Sequence, residues 1–168
     1  MIVAAGLAST MLFACTKDDE VDARLNEQDR NFMNQAAHSN LAEVELGQLT
    51  QQRAMSDSVL MYGEMMVMDH TTAHEELEGI AGTVNFDLPT TLDAEHQALR
   101  QRLSGLGGLT FDTAYINSQI VDHQRTISLF ETQVSQGKYQ PLKDYANKYL
   151  PGLRLHYELA QEIATKLE

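Results

Sequence analysis

The chain has 168 residues, of which 43% are hydrophobic and 21% charged, and its formal net charge at pH 7 is −12. This composition is typical of one globular domain with a sizeable core, and it argues against a membrane-integral or disordered chain. Acidic residues outnumber basic ones by 24 to 12, and no basic stripe is present, so we expect no nucleic-acid partner. An acidic surface also repels anionic lipid headgroups, so any membrane attachment is expected to be covalent.

Such an attachment is indicated at the N-terminus. The run "MIVAAGLASTMLFAC" is uncharged, too short to span a bilayer, and ends at Cys15, the only cysteine. Its last residues, "LFAC", resemble the lipobox of bacterial lipoproteins, although no Lys or Arg precedes the run. We therefore predict a signal peptide over 1–14, lipidation of Cys15, and a cell-envelope lipoprotein anchored to the outer membrane. The alternative is a buried cysteine on an N-terminal helix.

A polar stretch, "TKDDEVDARLNEQ", follows the cysteine and has the composition of a solvated tether. We predict three parts: the signal peptide, a lipidated cysteine with a polar tether over 15–26, and a helical domain over 27–168. The acidic run at 17–20 resembles the export signal of some surface-exposed lipoproteins, while a plain soluble linker has the same composition. Both a periplasmic and a surface-exposed location therefore stay open.

The remainder reads as helices, because no segment alternates like a strand and only three prolines are present. Four long helices and one short one predict an all-α four-helix bundle, with helix 3 as the connection between helices 2 and 4. We expect Ser56 to cap helix 2, helix 5 to kink at Pro151-Gly152, and no internal repeat longer than the Asp-His dipeptide at 69–70 and 122–123. The predicted helices span about 27–53, 57–81, 92–103, 110–135 and 141–168.

Each long helix carries one ionisable residue in the middle of its apolar stripe. Helix 1 places Glu43 there, and helices 2, 4 and 5 place His70, His123 and His156. Counting residues from the predicted turns puts the members of each antiparallel pair at depths matching within about 4.5 Å. The two pairs share a level only if helices 2 and 4 run parallel, which requires the segment 82–108 to cross over.

Three imidazoles and one carboxylate suit a single Zn, Fe or Cu ion, with Glu43 as the fourth ligand or as a partner group. Asp69 and Asp122 each precede an inward histidine and point about 100° away from it, so we interpret them as surface or supporting residues. The alternatives are a structural layer of buried histidines, a non-metal interaction module, and another kind of ligand pocket.

Methionines cluster around the first of these histidines. Met66 lies on the apolar stripe and is predicted to be core, whereas Met61, Met65 and Met68 fall on flanking faces. Soft thioethers beside His70 and His74 would favour Cu(I), which makes copper handling a weaker alternative. We expect the other histidines, His38, His74 and His96, to be solvated.

Four ordered motifs, "AEVELGQL", "MVMDHTTAHEEL", "FDTAYINSQIVDHQ" and "LPGLRLHYELA", resemble the domain-of-unknown-function 4142 family of secreted or outer-membrane bacterial proteins. The resemblance implies a ferritin-like four-helix bundle that contains the required crossover, and it implies no activity. It also points to Asp112 and Tyr115 as supporting residues. The family's recurring positions are Glu43, Asp69, His70, Phe111, Asp112, Tyr115, His123, Pro151 and His156.

Several kinds of chemistry are not expected. Glu-x-x-His pairs, which di-iron bundles require, are missing, because Val67, Ile120 and Leu153 stand three residues before the inward histidines. The single cysteine disfavours thiol catalysis, and no nucleophile-elbow, phosphate-loop or dinucleotide motif is present. We therefore predict at most a mononuclear site, used for binding or sequestration more than for catalysis.

Overall fold

The computed structural model describes residues 24–167, and within that range the chain is helical, with no strand. The predicted all-α bundle is thus confirmed. The predicted signal peptide, Cys15 and the tether up to residue 23 lie outside the described residues. The helices are α1 (Glu27–Arg53), α2 (Asp57–Gly82), α3 (Ala94–Ser104), α4 (Gly108–Gln136) and α5 (Gln140–Leu167).

The helix bounds agree with the predicted ones to within two residues, and α5 continues through Pro151 as one helix. The packed body begins earlier than predicted. Leu25 is buried in the core, and the Arg24 side chain donates a hydrogen bond to the Thr83 carbonyl. The last residues of the predicted tether therefore belong to the domain.

The four long helices form two antiparallel hairpins, α1–α2 and α4–α5. The start of α4 lies at the α1–α2 turn, where Asp112 contacts Ser56, and the start of α1 lies at the α4–α5 turn, where Asp29 contacts Tyr139. Helices α1 and α4 are therefore antiparallel, and α2 runs parallel to α4. The connection over 83–107, which includes α3, crosses the length of the bundle. This is the crossover that is needed for the two pairs of inward residues to share a level.

Two buried aspartates hold the hairpin turns. Asp112 accepts hydrogen bonds from the backbone N–H groups of Met55 and Ser56, at 3.1 and 2.8 Å. The Ser56 side chain makes no capping hydrogen bond, so its predicted role passes to an aspartate on another helix. Asp29 accepts from the backbone N–H groups of Lys138 and Tyr139, both at 3.1 Å. Both carboxylates are fully buried, where such backbone donors satisfy them.

These contacts repeat at a constant spacing. The Tyr62 hydroxyl donates to the His156 carbonyl, and the Tyr145 hydroxyl donates to the Ala73 carbonyl. Each residue in one of these contacts has its equivalent in the other contact 83 residues away, so the two hairpins are related by an approximate two-fold. The corresponding pairs are Asp29 with Asp112, Met55 with Lys138, Ser56 with Tyr139, Tyr62 with Tyr145, and Ala73 with His156.

Few side chains are identical at this spacing, so the two-fold is seen in the contacts of the fold and not as a sequence repeat. The two Asp-His dipeptides are 53 residues apart and are not related by this two-fold.

The apolar core is divided into two clusters, one toward each end of the bundle. One contains Phe32, Phe130 and Tyr145, and the other contains Phe111 and Tyr115. The inward histidines lie between the two clusters in every helix that carries one. Among the described helices, none has the length and apolar character needed to cross a bilayer.

Candidate metal centre

Three imidazoles meet in the layer between the two apolar clusters. His70 on α2, His123 on α4 and His156 on α5 are 4%, 1% and 4% exposed. Their ring centroids are 5.4 to 5.7 Å apart, and one nitrogen of each ring lies within 4.8 Å of the others. The structure therefore brings together the three histidines that were predicted to share a level.

Two of the rings are oriented by side chains outside the cluster. The Nδ1 atom of His70 lies 2.9 Å from Oδ1 of Asn40, and Nε2 of His156 lies 3.0 Å from Oδ2 of Asp69. Both oxygens accept hydrogen bonds, so these ring nitrogens carry the protons. The unprotonated nitrogens, Nε2 of His70 and Nδ1 of His156, are thereby left to face the centre.

The third ring is oriented by its own helix. The Nδ1 atom of His123 lies 3.0 Å from the Gln119 carbonyl oxygen, one turn earlier on α4, and donates to it. Its Nε2 atom therefore has a free lone pair, 3.4 Å from Nδ1 of His156. Two acceptor nitrogens face each other at this distance without a proton between them, which is unfavourable unless a cation lies between them.

All three imidazoles are held in the neutral form that binds metals. Burial, with repulsion between the rings, lowers the pKa of His70 well below its ordinary value. Burial lowers the pKa of His123 to about 3, with a contribution from His156. Burial also lowers the pKa of His156, against the opposing effect of Asp69. Protons therefore do not compete with a metal for these nitrogens near pH 7.

Glu43 lies beside the cluster, on the far side of His123. Its Oε1 atom is 3.7 Å from Nδ1 of His123, the nitrogen that faces away from the centre. Of the two predicted roles, fourth ligand or partner group, this geometry is that of a partner group. Burial, reinforced by repulsion from Asp122, raises the pKa of Glu43 to about 8, so the carboxyl is largely protonated at pH 7.

Buried polar side chains on α4 lie near Glu43. The Oε2 atom of Glu43, the Tyr115 hydroxyl and both side-chain polar atoms of Gln119 are buried and have no hydrogen-bond partner among the described residues. Burial, with the nearby Glu43, raises the pKa of Tyr115 well above its ordinary value, so the phenol stays protonated. Tyr115 therefore lies near Glu43, which itself lies beside the outer nitrogen of His123.

The other three predicted supporting residues differ in their relation to the cluster. Asp69 is the hydrogen-bond partner of His156, as described above. Asp112 holds the α1–α2 turn at the end of the bundle and contributes to stability there. Asp122 lies on the outer side of α4, 3.9 Å from Arg125, and its pKa is raised by burial.

Two residues of the site were not predicted from the sequence. Asn40 is buried and orients His70, although Glu43 was the only residue of α1 that was predicted to belong to the site. Asn40 stands three residues before Glu43 and four after Ala36, so its helical spacing was the available signal. Gln119 precedes His123 by four residues and supplies both the orienting carbonyl and the buried amide.

The remaining histidines do not join the cluster. His38 contacts the Thr91 carbonyl at 3.0 Å, His96 contacts Asp93 at 2.9 Å, and His74 lies 3.5 Å from Glu78. These rings are partly buried, which corrects the expectation that they are solvated.

The methionines divide into one core residue and an outer face. Met66 is fully buried as predicted, whereas Met61 and Met68 are 68% and 65% exposed. These two thioethers lie on the side of α2 opposite His70, because they precede it by nine and two residues on a helix of 3.6 residues per turn. They therefore do not combine with His70 in one site.

Comparisons with known proteins give one match. No curated protein and no solved structure matches the chain. The family model of DUF4142, a domain of unknown function, matches residues 15–163, which include the whole bundle up to the last turn of α5. The match covers most of the sequence and agrees with the resemblance of the four motifs. The chain therefore belongs to the DUF4142 family.

Proposed function

We propose that the protein binds a single first-row transition-metal ion through Nε2 of His70, Nε2 of His123 and Nδ1 of His156. One observation carries the proposal. Each imidazole donates its proton to an outer acceptor, so that three unprotonated nitrogens converge in a buried layer. Histidine ligands of metals are oriented by outer acceptors in the same way.

The spacing of the nitrogens supports this assignment. Two nitrogens that bind a tetrahedral zinc ion at about 2.05 Å are about 3.3 Å apart. The His123 and His156 nitrogens are 3.4 Å apart, so this pair already stands at the spacing of two ligands. One ring nitrogen of His70 lies within 4.8 Å of a ring nitrogen of each of the other two histidines, so the third ligand is close to the same centre.

The donor set favours some metals over others. Three neutral imidazoles suit Zn²⁺ and Cu²⁺, whereas Fe²⁺ is favoured by sites that combine two histidines with a carboxylate. Glu43 faces the outer nitrogen of His123 and does not supply that carboxylate. Binding or sequestration of Zn²⁺ or Cu²⁺ is therefore the leading function, with the three ligands filling three of four positions.

Metal titration of the untagged protein tests the proposal. Thermal unfolding is followed in chelator and after addition of Zn²⁺, Cu²⁺ or Fe²⁺, and bound metal is measured after desalting. We expect one ion per chain and stabilisation of about 3 to 4 kcal/mol when free metal exceeds the dissociation constant several hundredfold. His123→Ala should abolish both the bound metal and the stabilisation.

His74→Ala is the matched control, because it removes a neighbouring histidine on α2 that lies outside the cluster. It should leave the stoichiometry unchanged. If wild-type protein binds no metal and shows no stabilisation, the histidines form a structural layer in a non-metal module. If His74→Ala also loses the metal, the site uses a pair on α2 instead.

We also propose that Cys15 is lipidated and anchors the domain in the cell envelope. The support is the apolar run that ends in "LFAC" and the polar stretch that follows it. Fatty-acid labelling in a bacterial host tests this: wild-type protein should carry label and sediment with outer membranes, and Cys15→Ser should lose the label. Protease treatment of intact cells then distinguishes surface exposure from a periplasmic location. Labelling that persists in Cys15→Ser would overturn the anchor.

A further inference from the structure

A cavity of about 250 Å³ opens between α2 and α5 against two of the clustered histidines. Its lining includes His70 and His156 with their partners Asn40 and Asp69, of which Asn40 is buried and Asp69 is partly exposed. Its remaining walls are mainly apolar and aromatic, and they consist of Thr72, Ala73, Phe130, Tyr149, Gly152 and Leu153. The cavity is open toward solvent and reaches the histidine layer.

The approximate two-fold explains why space exists here. The three clustered histidines and Asp69 each have a counterpart 83 residues away, and these four counterparts line the cavity. The counterparts are Asn40 for His123, Ala73 for His156, Leu153 for His70, and Gly152 for Asp69. Ala73, Leu153 and Gly152 are apolar or lack a side chain, and two of them are much smaller than the imidazole and the carboxylate that they replace, so part of that volume is left open.

The walls select the kind of molecule that fits. Phe130 and Tyr149 offer aromatic surfaces, and a dry cavity of about 150 Å³ already holds a benzene ring. Asp69 stands at the edge with its side chain 44% exposed, and the chain carries a net charge of −12, so anions are repelled. A flat aromatic ring that carries no negative charge therefore suits the cavity.

We propose that this cavity binds a small uncharged nitrogen heterocycle, whose ring nitrogen takes the coordination position that the three histidines leave open. The proposal rests on the metal site proposed above. No bond other than the metal–nitrogen bond forms, and no electron is transferred. His70, His123 and His156 hold the ion, while Phe130, Tyr149 and Leu153 hold the ring.

Pyridine, which is uncharged at pH 7.5, is the probe, and Co²⁺ is the metal, because its visible spectrum reports coordination. Metal content is first measured for every variant. Pyridine should change the spectrum of the Co²⁺ protein, azide should do so at least about tenfold more weakly, and benzene should not. Gly152→Leu should weaken pyridine binding by about tenfold or more by filling the cavity while retaining the metal.

Gly79→Leu is the matched control. A Cβ atom at Gly152 or at Gly79 meets no heavy atom within 4 Å, both glycines lie within helices, and Gly79 is not part of the cavity wall. Gly79→Leu should bind pyridine like wild type, and Gly152→Ala provides a smaller cavity-filling change if the leucine variant does not fold.

The two proposals fail in different ways. A protein that takes up no Co²⁺ contradicts the metal site itself. The pocket alone is contradicted if the spectrum of the Co²⁺ protein does not change with pyridine, or if it changes equally with azide. The pocket is also contradicted if both Gly152 variants bind pyridine as wild type does.

Discussion

The two helical hairpins share their ends and differ at their centres. In both, a buried aspartate of the first helix binds the turn of the other hairpin, and a tyrosine of the second helix donates to a backbone carbonyl across the bundle. Halfway along, imidazoles occupy one set of positions, and Asn40, Ala73 and Leu153 occupy the equivalent set. The comparison teaches that one scaffold supports a polar site and a cavity side by side, because the ends of the hairpins supply the contacts that define the fold.

The largest expected effect tests whether the two buried aspartates at opposite ends of the bundle are equivalent. Asp29→Ala and Asp112→Ala each leave buried backbone N–H groups without an acceptor, so each should lower the free energy of unfolding by about 2–4 kcal/mol. Urea unfolding followed by circular dichroism measures both. Asp57→Ala, an exposed residue in the first turn of α2, is the control and should cost about 0.5 kcal/mol or less. A large loss for one buried aspartate and none for the other would break the comparison.

The next effect concerns Glu43, whose counterpart at the other centre is Thr126. The folded-state pKa of Glu43, about 8, lies above the ordinary value of 4.5, so the fold favours the protonated carboxyl. This contribution to stability is complete below pH 4.5 and is lost as pH rises through 8. In metal-free protein, Glu43→Gln should therefore gain stability relative to wild type over that window, on the order of 3 kcal/mol by pH 8.

Urea unfolding in chelator at pH 4.5, 6 and 8 measures this difference, with the exposed Glu64→Gln as the control. The histidines act in the opposite direction, because the lowered pKa of His123, about 3, means that the unfolded chain takes up protons first as pH falls below 6.5. Below pH 4.5, where Glu43 is protonated in both the folded and the unfolded chain, wild type and Glu43→Gln should lose stability in parallel. A difference between them that does not grow from pH 4.5 to pH 8 would contradict the assignment.

A smaller effect concerns the residue that orients His70. Asn40→Ala removes the acceptor of the His70 Nδ1 proton, so the ring loses its fixed orientation. We expect the affinity for Zn²⁺ to fall about 10- to 100-fold while one site per chain is retained. Competition with a chromophoric chelator measures the affinity, and the exposed Asn34→Ala should match wild type. Unchanged affinity in Asn40→Ala would mean that Asn40 belongs only to the cavity.

The smallest effect concerns the cavity itself. Gly152→Ala and Gly79→Ala both replace a helical glycine that has free space, so each should raise the free energy of unfolding by about 0.5–1 kcal/mol. Thermal unfolding of the metal-free proteins measures this gain. If Gly152→Ala is destabilising and Gly79→Ala is not, the cavity wall at Gly152 is more tightly packed than the free space around it suggests.

Much of the fold followed from spacing along the chain. The apolar periodicity of α2, α4 and α5 places His70, His123 and His156 inward, and residue counts from the turns place them at one depth. Helical geometry is local, so these features depend only on neighbouring residues.

Other features depended on how the helices meet. Only the crossover makes α2 and α4 parallel, and only packing decides that Asn40, Asp69 and the Gln119 carbonyl take the outer protons of the three imidazoles. The same packing puts Glu43 at the outer nitrogen of His123 and lets Asp112 replace Ser56 at the start of α2. Helical spacing tells which face a residue occupies, but the partner of its side chain belongs to another helix, whose register is decided by the tertiary structure.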